Sequence, residues 1–459
     1  MDGTRRSFGN YHIADPKAIF GGGPKARFNK NRAAIEAFRE ITEEGKTPTQ
    51  ADRDAMASYT GWGSFGQELF QGNWTYPRPA SGWEKEDAWL REHLGKDEWE
   101  SAQRSILNAH YTDPPTVQAI WDMVSAMGFT GGRILEPSIG IGNFFGLMPR
   151  DIMARSQLAG IELDTLTGGM AKLLYPEANI QIKGYQDSKT ADGFYDLIVG
   201  NWPFAKDTSF VDRRYKNLSP SLHDYFFLKA LDQVRAGGLV VGITSNGTMD
   251  KVGTSTRLEL AKKADLVAAF RLPTGAFQEY AGTKVVTDII ILKKRDKPNL
   301  SAGMEPWIVS EPRPTADGEP IRVNKYWTDH PDHVLGDMTW GHGTTTGRPG
   351  MIVNRLPDFP QKLADLHKKL PADTFSPVPP SKKINYVTNN TKDRQQSVTV
   401  DKGALMVVQG EYLAQLHEID EYRLKDAKKT AKREAQIRAL VEMRRDYGRL
   451  IDAERAGSA

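Results

Sequence analysis

The run Phe194–Gly200 is apolar apart from Asp196 and leads into Asn201, with Trp202, Pro203 and Phe204 directly behind it. A side-chain amide beside a main-chain carbonyl suits one chemical task. The exocyclic amine of a nucleobase is a poor nucleophile, because its lone pair is delocalised into the ring. If the Asn201 amide oxygen and the neighbouring carbonyl accept both of its N–H protons, the nitrogen becomes more tetrahedral and its lone pair turns toward an electrophile. Pro203 fixes the chain direction, and Phe204 offers an aromatic face for a base.

Two upstream motifs share that chemistry. Ile134-Leu135-Glu136-Pro137-Ser138-Ile139-Gly140-Ile141-Gly142-Asn143-Phe144 reads as a strand, a glycine turn and the start of a helix. Glycines let the backbone approach a ligand, and a helix N-terminus favours negative charge. Gly160-Ile161-Glu162-Leu163-Asp164 ends the next strand, with Glu162 20 residues after Gly142. Doubly wound folds set an acid on ribose hydroxyls at that spacing. Phe145 stands where a dinucleotide fingerprint has its third glycine. The pair therefore indicates a nucleoside cofactor without separating dinucleotides from S-adenosylmethionine. Asp187, in Lys183–Asp187 after the third strand, is a candidate for the cofactor's adenine amine, with a solvated loop acid as the plain alternative.

Placing three motifs on one edge requires alternating strands and helices. Strands are expected at Arg133–Leu135, Leu158–Glu162, Tyr195–Gly200, Leu239–Thr244, Leu266–Arg271 and Val285–Leu292, with helices between them, most clearly His223–Val234 before Ala236-Gly237-Gly238. That spacing implies βαβ units and a mostly parallel sheet. The short loop before Val285 points to an antiparallel edge strand. His223 opens an amphipathic helix and reads as structural. In an open α/β sheet, ligands sit outside the carboxyl ends of the strands, so Asn201, Gly140 and Glu162 face one crevice.

The flanks differ. Residues 1–108 hold a basic arm and helical patterns, and the glycine-dense Tyr59–Gly66 reads as a packed loop with aromatic anchors. Residues 298–405 read as an irregular extension, and 406–459 as helical, with Ile437, Leu440, Val441, Tyr447, Leu450 and Ile451 on one stripe. The 459 residues carry a net charge of only +3, but seven basic side chains fall within Arg5–Arg32 and nine within Arg423–Arg445. Solvated faces or a polyanionic partner explain such runs. The chain has no cysteine, which excludes disulfides, thiolate metal sites and cysteine nucleophiles, and with them methylation of cytosine C5. No apolar run reaches the ~18 residues of a membrane span, and the polar, basic Met1–Gly9 is not expected to be a secretory signal.

Glu136-Pro-Ser-x-Gly-x-Gly, Gly-Ile-Glu and Asn-x-Pro-Phe in that order resemble the γ-type N6-adenine DNA methyltransferases. His110-Tyr111-Thr112-Asp113-Pro114-Pro115 is similar to their cofactor-binding Tyr-Thr-Pro segment. Tyr59-Thr-Gly-Trp-Gly, His223-Asp-Tyr-Phe-Phe, Thr244–Asp250 and Arg271–Phe277 resemble the helicase-associated methylases of phages and mobile elements, although the chain has no helicase motif. The likeness covers roughly residues 30–345 and departs at Trp202, where the family has a first proline.

The resemblance implies a Rossmann-like seven-stranded methyltransferase sheet at 109–297 with helical N- and C-terminal extensions. It implies S-adenosylmethionine as cofactor, bound by Tyr111, Thr112, Glu136, Ser138, Gly140, Gly142, Asn143, Glu162 and Asp187, and no metal. Asn201, Pro203 and Phe204 would be catalytic, with Trp202 and Phe277 against the base. The substrate would be adenine in DNA, flipped out or single-stranded, with relaxed sequence specificity. A helicase partner in trans, the oligomeric state and the recognition sequence stay open. The expected location is the cytoplasm of a bacterial or phage-infected cell. Two alternatives stand beside this reading: methylation of RNA or of a protein glutamine, and a non-catalytic DNA-binding subunit.

Overall fold

The computed structural model describes residues 9–71, 78–108, 112–188, 190–204, 212–276, 285–314, 320–341, 350–377, 386–388, 398–401, 404–409, 412–415, 432, 434–443 and 446. Tyr111 and Phe277 lie outside them. One unit comprises Met1–Ser188 with Tyr195–Ser376, and a second comprises Lys189–Phe194 with Pro377–Ala459. The divisions expected at 108 and 297 thus fall inside the first unit.

Its core is a seven-stranded sheet: β1 (Arg133–Glu136), β2 (Gln157–Glu162), β3 (Asn179–Ile182), β4 (Tyr195–Asn201), β5 (Val234–Ser245), β6 (Ala264–Arg271) and β7 (Thr287–Lys294). The order is β3-β2-β1-β4-β5-β7-β6. β3, β2, β1, β4 and β5 run parallel, and β7 pairs antiparallel with both β5 and β6. The Rossmann-like seven-stranded sheet is therefore present. One correction concerns β7, which is antiparallel but inserts between β5 and β6 and is no edge. The Ile289–Leu292 run explains why: it is buried on both faces, as an inner strand requires. Ala236-Gly237-Gly238 forms an irregularity in which the β4–β5 register jumps from Tyr195–Val234 to Leu197–Leu239.

The parallel strands direct their carboxyl ends to one edge. There β1 ends at Glu136, β2 at Glu162 and β4 at Asn201. The crossover helices Thr165–Leu174 and Leu222–Gln233 bury one or more faces against the sheet. At this same edge, where β6 ends, Arg271 is fully buried between Asp250 and Asp288, 2.8 Å from each, with its guanidinium over the Trp327 ring. That triad fastens the chain just ahead of Leu272-Pro273-Thr274.

The N-terminal helices pack against the helix Thr165–Leu174. Tyr11 and Ile13 donate their backbone N–H to Leu174 and Gly146, at 2.8 Å each. Asn31, wholly buried, donates to the Gly61 carbonyl at 2.6 Å and accepts from the Thr60 N–H at 2.8 Å. Tyr59, Trp62 and Phe65 are buried as anchors, with Phe65 stacked on Trp83. Within this loop Gly63–Phe65 forms a 3-10 turn and Gly66–Leu69 a single helical turn, so it is more regular than its glycines suggest.

The basic arm is partly spent inside the fold. Lys30 donates to the carbonyls of Ala18, Ile19 and Gly21 at 2.7–2.9 Å. These close the short helix Pro16–Phe20, where a cation is favourable. Lys25 pairs with Glu86, Arg32 with Glu36, and Arg27 is buried.

The described residues between 298 and 376 are structured rather than irregular. They form the hairpins β8 (Ser310–Arg313) with β9 (Ile321–Asn324), and β10 (Gly336–Gly341) with β11 (Gly350–Arg355). In the second unit, β12 (Tyr386–Thr388), β13 (Val398–Asp401), β14 (Ala404–Gln409) and β15 (Tyr412–Gln415) make an antiparallel sheet ordered β12-β15-β14-β13. The helical reading fails at 406–409, which lie in β14, and at 412–415, which form β15. Residues 434–443 are helical, but Leu440 is exposed while its neighbour Val441 is buried. Tyr447, Leu450, Ile451 and most of the Arg423–Arg445 run lie outside the described residues.

Candidate active site

The turn after β1 needs two left-handed residues in three, and glycine supplies both: φ is 56° at Gly140 and 87° at Gly142. The Gly142 N–H closes onto the Ile139 carbonyl at 2.8 Å. The Glu162 carboxylate, at the end of β2, accepts the Gly140 N–H at 2.7 Å and the Asp164 N–H at 2.9 Å. Burial pushes that carboxyl up to about 7 against the pull of the two N–H donors. Gly140 and Glu162, separated in sequence, are thus joined directly.

Gly142 serves a purpose the motif does not reveal. A Cβ there would overlap the ring of Tyr175, whose hydroxyl donates to the Gly142 carbonyl at 2.6 Å. The glycine makes room for a tyrosine.

Beneath the turn, Glu136 and Asn143 are buried. Burial, with the Glu162 charge nearby, holds the Glu136 carboxyl well above the usual range. Glu136 Oε2 and both amide atoms of Asn143 have no hydrogen-bond partner among the described residues. Buried polar groups left so are costly unless something else satisfies them. A ligand with its own donors and acceptors fits that set.

Asn201 ends β4 and is held from two sides. Ser138 donates its hydroxyl to the Asn201 backbone carbonyl at 2.7 Å, and the Asn201 side-chain nitrogen donates to Thr112 Oγ1 at 3.1 Å. Thr112, itself buried, precedes the helix Pro114–Ala126. Pro203 and Phe204 follow, both half-buried, with Phe204 against the core.

Trp202 does not present its ring to a base. It is 1% exposed, packed on Phe226 and Phe227 with ring centroids 5.8 and 5.6 Å away. Its backbone N–H donates to the Ile243 carbonyl of β5 at 2.9 Å. Gly200 and Gly242 leave the space that the indole fills, and a Cβ at Gly242 would overlap it. The ring anchors the Asn201 segment to the core.

Asp187 is exposed on the 3-10 turn Tyr185–Asp187 after β3, accepting from Gln186 at 3.0 Å. That turn is fastened by Lys229, which donates to the Tyr185 carbonyl at 2.6 Å. His223 is buried 3.0 Å from Ser221 Oγ, and burial holds its imidazole below the ordinary value. Leu163, directly after Glu162, is 73% exposed. Spacing alone does not mark it, although an apolar residue between the acids Glu162 and Asp164 is a signal that could have. Tyr175 lies far from the motif it supports and carries no signal of that role.

No protein-family model matches the chain. It is 26% identical over 279 residues to the "Defense against restriction protein B" of Escherichia phage P1, a stretch that is 59% of this chain and 10% of that protein. The chain therefore spans about a tenth of the length of that relative. It also aligns with the type I restriction-modification methyltransferase subunit of Streptococcus thermophilus at 15% identity, covering 58% of this chain and 60% of that one, TM-score 0.35. A TehB-like S-adenosylmethionine-dependent methyltransferase of Corynebacterium glutamicum aligns at 16% identity over 43% of this chain and 97% of that one, TM-score 0.29. On its own strand order, with the glycine turn, the acid and Asn-Trp-Pro-Phe at one edge, the chain has the fold of the S-adenosylmethionine-dependent methyltransferases.

Proposed function

We propose that the protein transfers a methyl group from S-adenosylmethionine to the exocyclic amine of adenine in DNA. The observation that carries this reading is Asn201, followed by Trp202-Pro203-Phe204 at the end of β4 and tied by Ser138 to the Gly140–Glu162 turn. When bound, the cofactor supplies an electrophilic methyl on a sulfonium. Glu162 suits its ribose hydroxyls, Leu163 offers a face to its adenine, and the buried Glu136 and Asn143 provide donors and acceptors. Asn201 and the carbonyl beside it draw the two protons of the target amine, and Phe204 stacks on the extruded base. Most of the acceleration then comes from holding amine and methyl in line.

DNA as the partner is supported by the likeness to a phage protein named for defence against restriction. A helicase in trans and a base contact at Phe277 belong to the same proposal. Plasmid DNA incubated with protein and labelled S-adenosylmethionine, then digested to nucleosides, should contain N6-methyl-2′-deoxyadenosine. Label found only in RNA or protein, or no label in DNA at any protein concentration, would overturn the reading.

A further inference from the structure

Thr112 and Ser138 belong by sequence to cofactor-binding motifs, yet in the fold the Thr112 oxygen accepts from Asn201 and the Ser138 hydroxyl donates to it. We infer that they are positioning residues that fix the amide and main chain of Asn201, rather than principal cofactor ligands. The inference rests on the reading that the Asn201 amide oxygen accepts from a target amine.

An asparagine amide has two ends of nearly equal shape, one a donor and one an acceptor, and its terminal torsion is broad and roughly two-fold. Only one orientation serves the reaction, with nitrogen turned away and oxygen toward the amine. Thr112 Oγ1, 3.1 Å from Asn201 Nδ2, occupies the nitrogen side. Thr112 is 4% exposed and stands just ahead of a 13-residue helix, so its oxygen is a fixed reference point. Ser138 fixes the other degree of freedom. Its one proton goes to the Asn201 carbonyl at 2.7 Å, so toward a cofactor it can act only as an acceptor.

The two bonds come from different elements. Ser138 lies two residues before Gly140, whose N–H is held by Glu162, while Thr112 belongs to the segment that opens the helix Pro114–Ala126. Asn201 is therefore located by the glycine turn after β1 and by the segment that opens the helix Pro114–Ala126 at once. A displacement near 1 Å at a reacting group can cost about 10²-fold in rate without changing ground-state binding. Loss of either hydroxyl should act on turnover and leave cofactor affinity in place.

The test compares Thr112→Val, Thr112→Ser and Ser138→Ala with wild type. Cofactor affinity is measured by calorimetry, and kcat and KM on adenine-containing DNA at saturating cofactor. The expected result is cofactor affinity and DNA KM within about threefold of wild type, kcat lowered about 10- to 100-fold in Thr112→Val and Ser138→Ala, and recovery to within about threefold in Thr112→Ser. A tenfold or larger loss of cofactor affinity with kcat retained would make both residues cofactor ligands and overturn the inference. So would wild-type values throughout.

A second readout is independent of activity. The side-chain amide protons of Asn201, assigned by NMR against Asn201→Asp, should move in Thr112→Val and return in Thr112→Ser. Signals unmoved in a folded Thr112→Val would overturn the inference even if wild type methylates adenine. Wild-type protein inactive on DNA but showing the amide shift would refute the proposed substrate alone.

Discussion

The Glu162 carboxylate and the Gly140 N–H, 22 residues apart in sequence, meet at 2.7 Å and close the turn between β1 and its helix. The same carboxyl sits near 7, against an ordinary 4.5, chiefly because it is buried. Between those values the folded protein holds a proton that the unfolded chain has released, so raising the pH through this window lowers stability while it creates the anion that accepts hydroxyl protons. Cofactor affinity should therefore rise as pH passes through about 7, by up to about tenfold per unit below it. In Glu162→Gln the slope should disappear, leaving weak binding at every pH. Calorimetric titrations from pH 6 to 8 check this, and a wild-type profile as flat as the variant's would remove Glu162 from the hydroxyl-binding role.

Asn201→Ala should eliminate methyl transfer by about 10²–10³-fold or more, the usual loss when a positioned transition-state hydrogen-bond partner is deleted. Cofactor binding should stay close to wild type, since the residue addresses the amine. Single-turnover rates beside calorimetry separate the two effects. A variant with wild-type turnover would contradict the catalytic assignment.

Gly142→Ala meets two obstacles, a left-handed φ and the Tyr175 ring. The backbone alone should cost about 1–3 kcal/mol. Denaturant unfolding should show a loss of at least that size without cofactor present, and Gly142→Ala in a Tyr175→Ala background should lose less than in wild type. Equal losses in both backgrounds would mean that the overlap carries nothing.

The proposed DNA interface is expected to leave out the internally engaged part of the N-terminal basic run. Replacing Lys25 and Lys30 by methionine should lower stability, because the ion pair with Glu86 and the hydrogen bonds to the Ala18, Ile19 and Gly21 carbonyls disappear. The salt dependence of DNA affinity should change little. Every phosphate that a lysine neutralises adds about 0.9 to the slope of log affinity against log salt. A slope shallower by near two such steps in the double variant would place both lysines on the DNA.

Much of the sheet could be read from the sequence because its strands are β-branched, apolar and regularly spaced. The Asn179-Ile-Gln-Ile strand is not among the six expected from the sequence, being four residues long with polar side chains at alternate positions. The place of β7 was not legible at all, since a direction follows from loop length but insertion between β5 and β6 depends on tertiary packing. Ser310-Glu-Pro-Arg reads as loop by composition and becomes a strand only by pairing with Ile321–Asn324. Gly140, Glu162 and Asn201 were legible from spacing. That Thr112 and Ser138 turn to Asn201 was not, because a hydroxyl's partner is decided by where three separate chain segments converge.

Trp202 bears on the temperature range over which the Asn201 segment keeps its shape. A proline restricts its backbone by a covalent ring, and that restriction is the same in a warm protein as in a cold one. Here the restraint comes from an indole seated over Gly200 and Gly242 and against Phe226 and Phe227. Its strength is that of the surrounding packing, so it weakens when the β4–β5 face loosens. At position 202 that share of the restraint is thus written into side-chain volume, beside the main-chain restraints of Pro203 and the Trp202 N–H bond, and the two glycines that admit the indole set it together with Trp202.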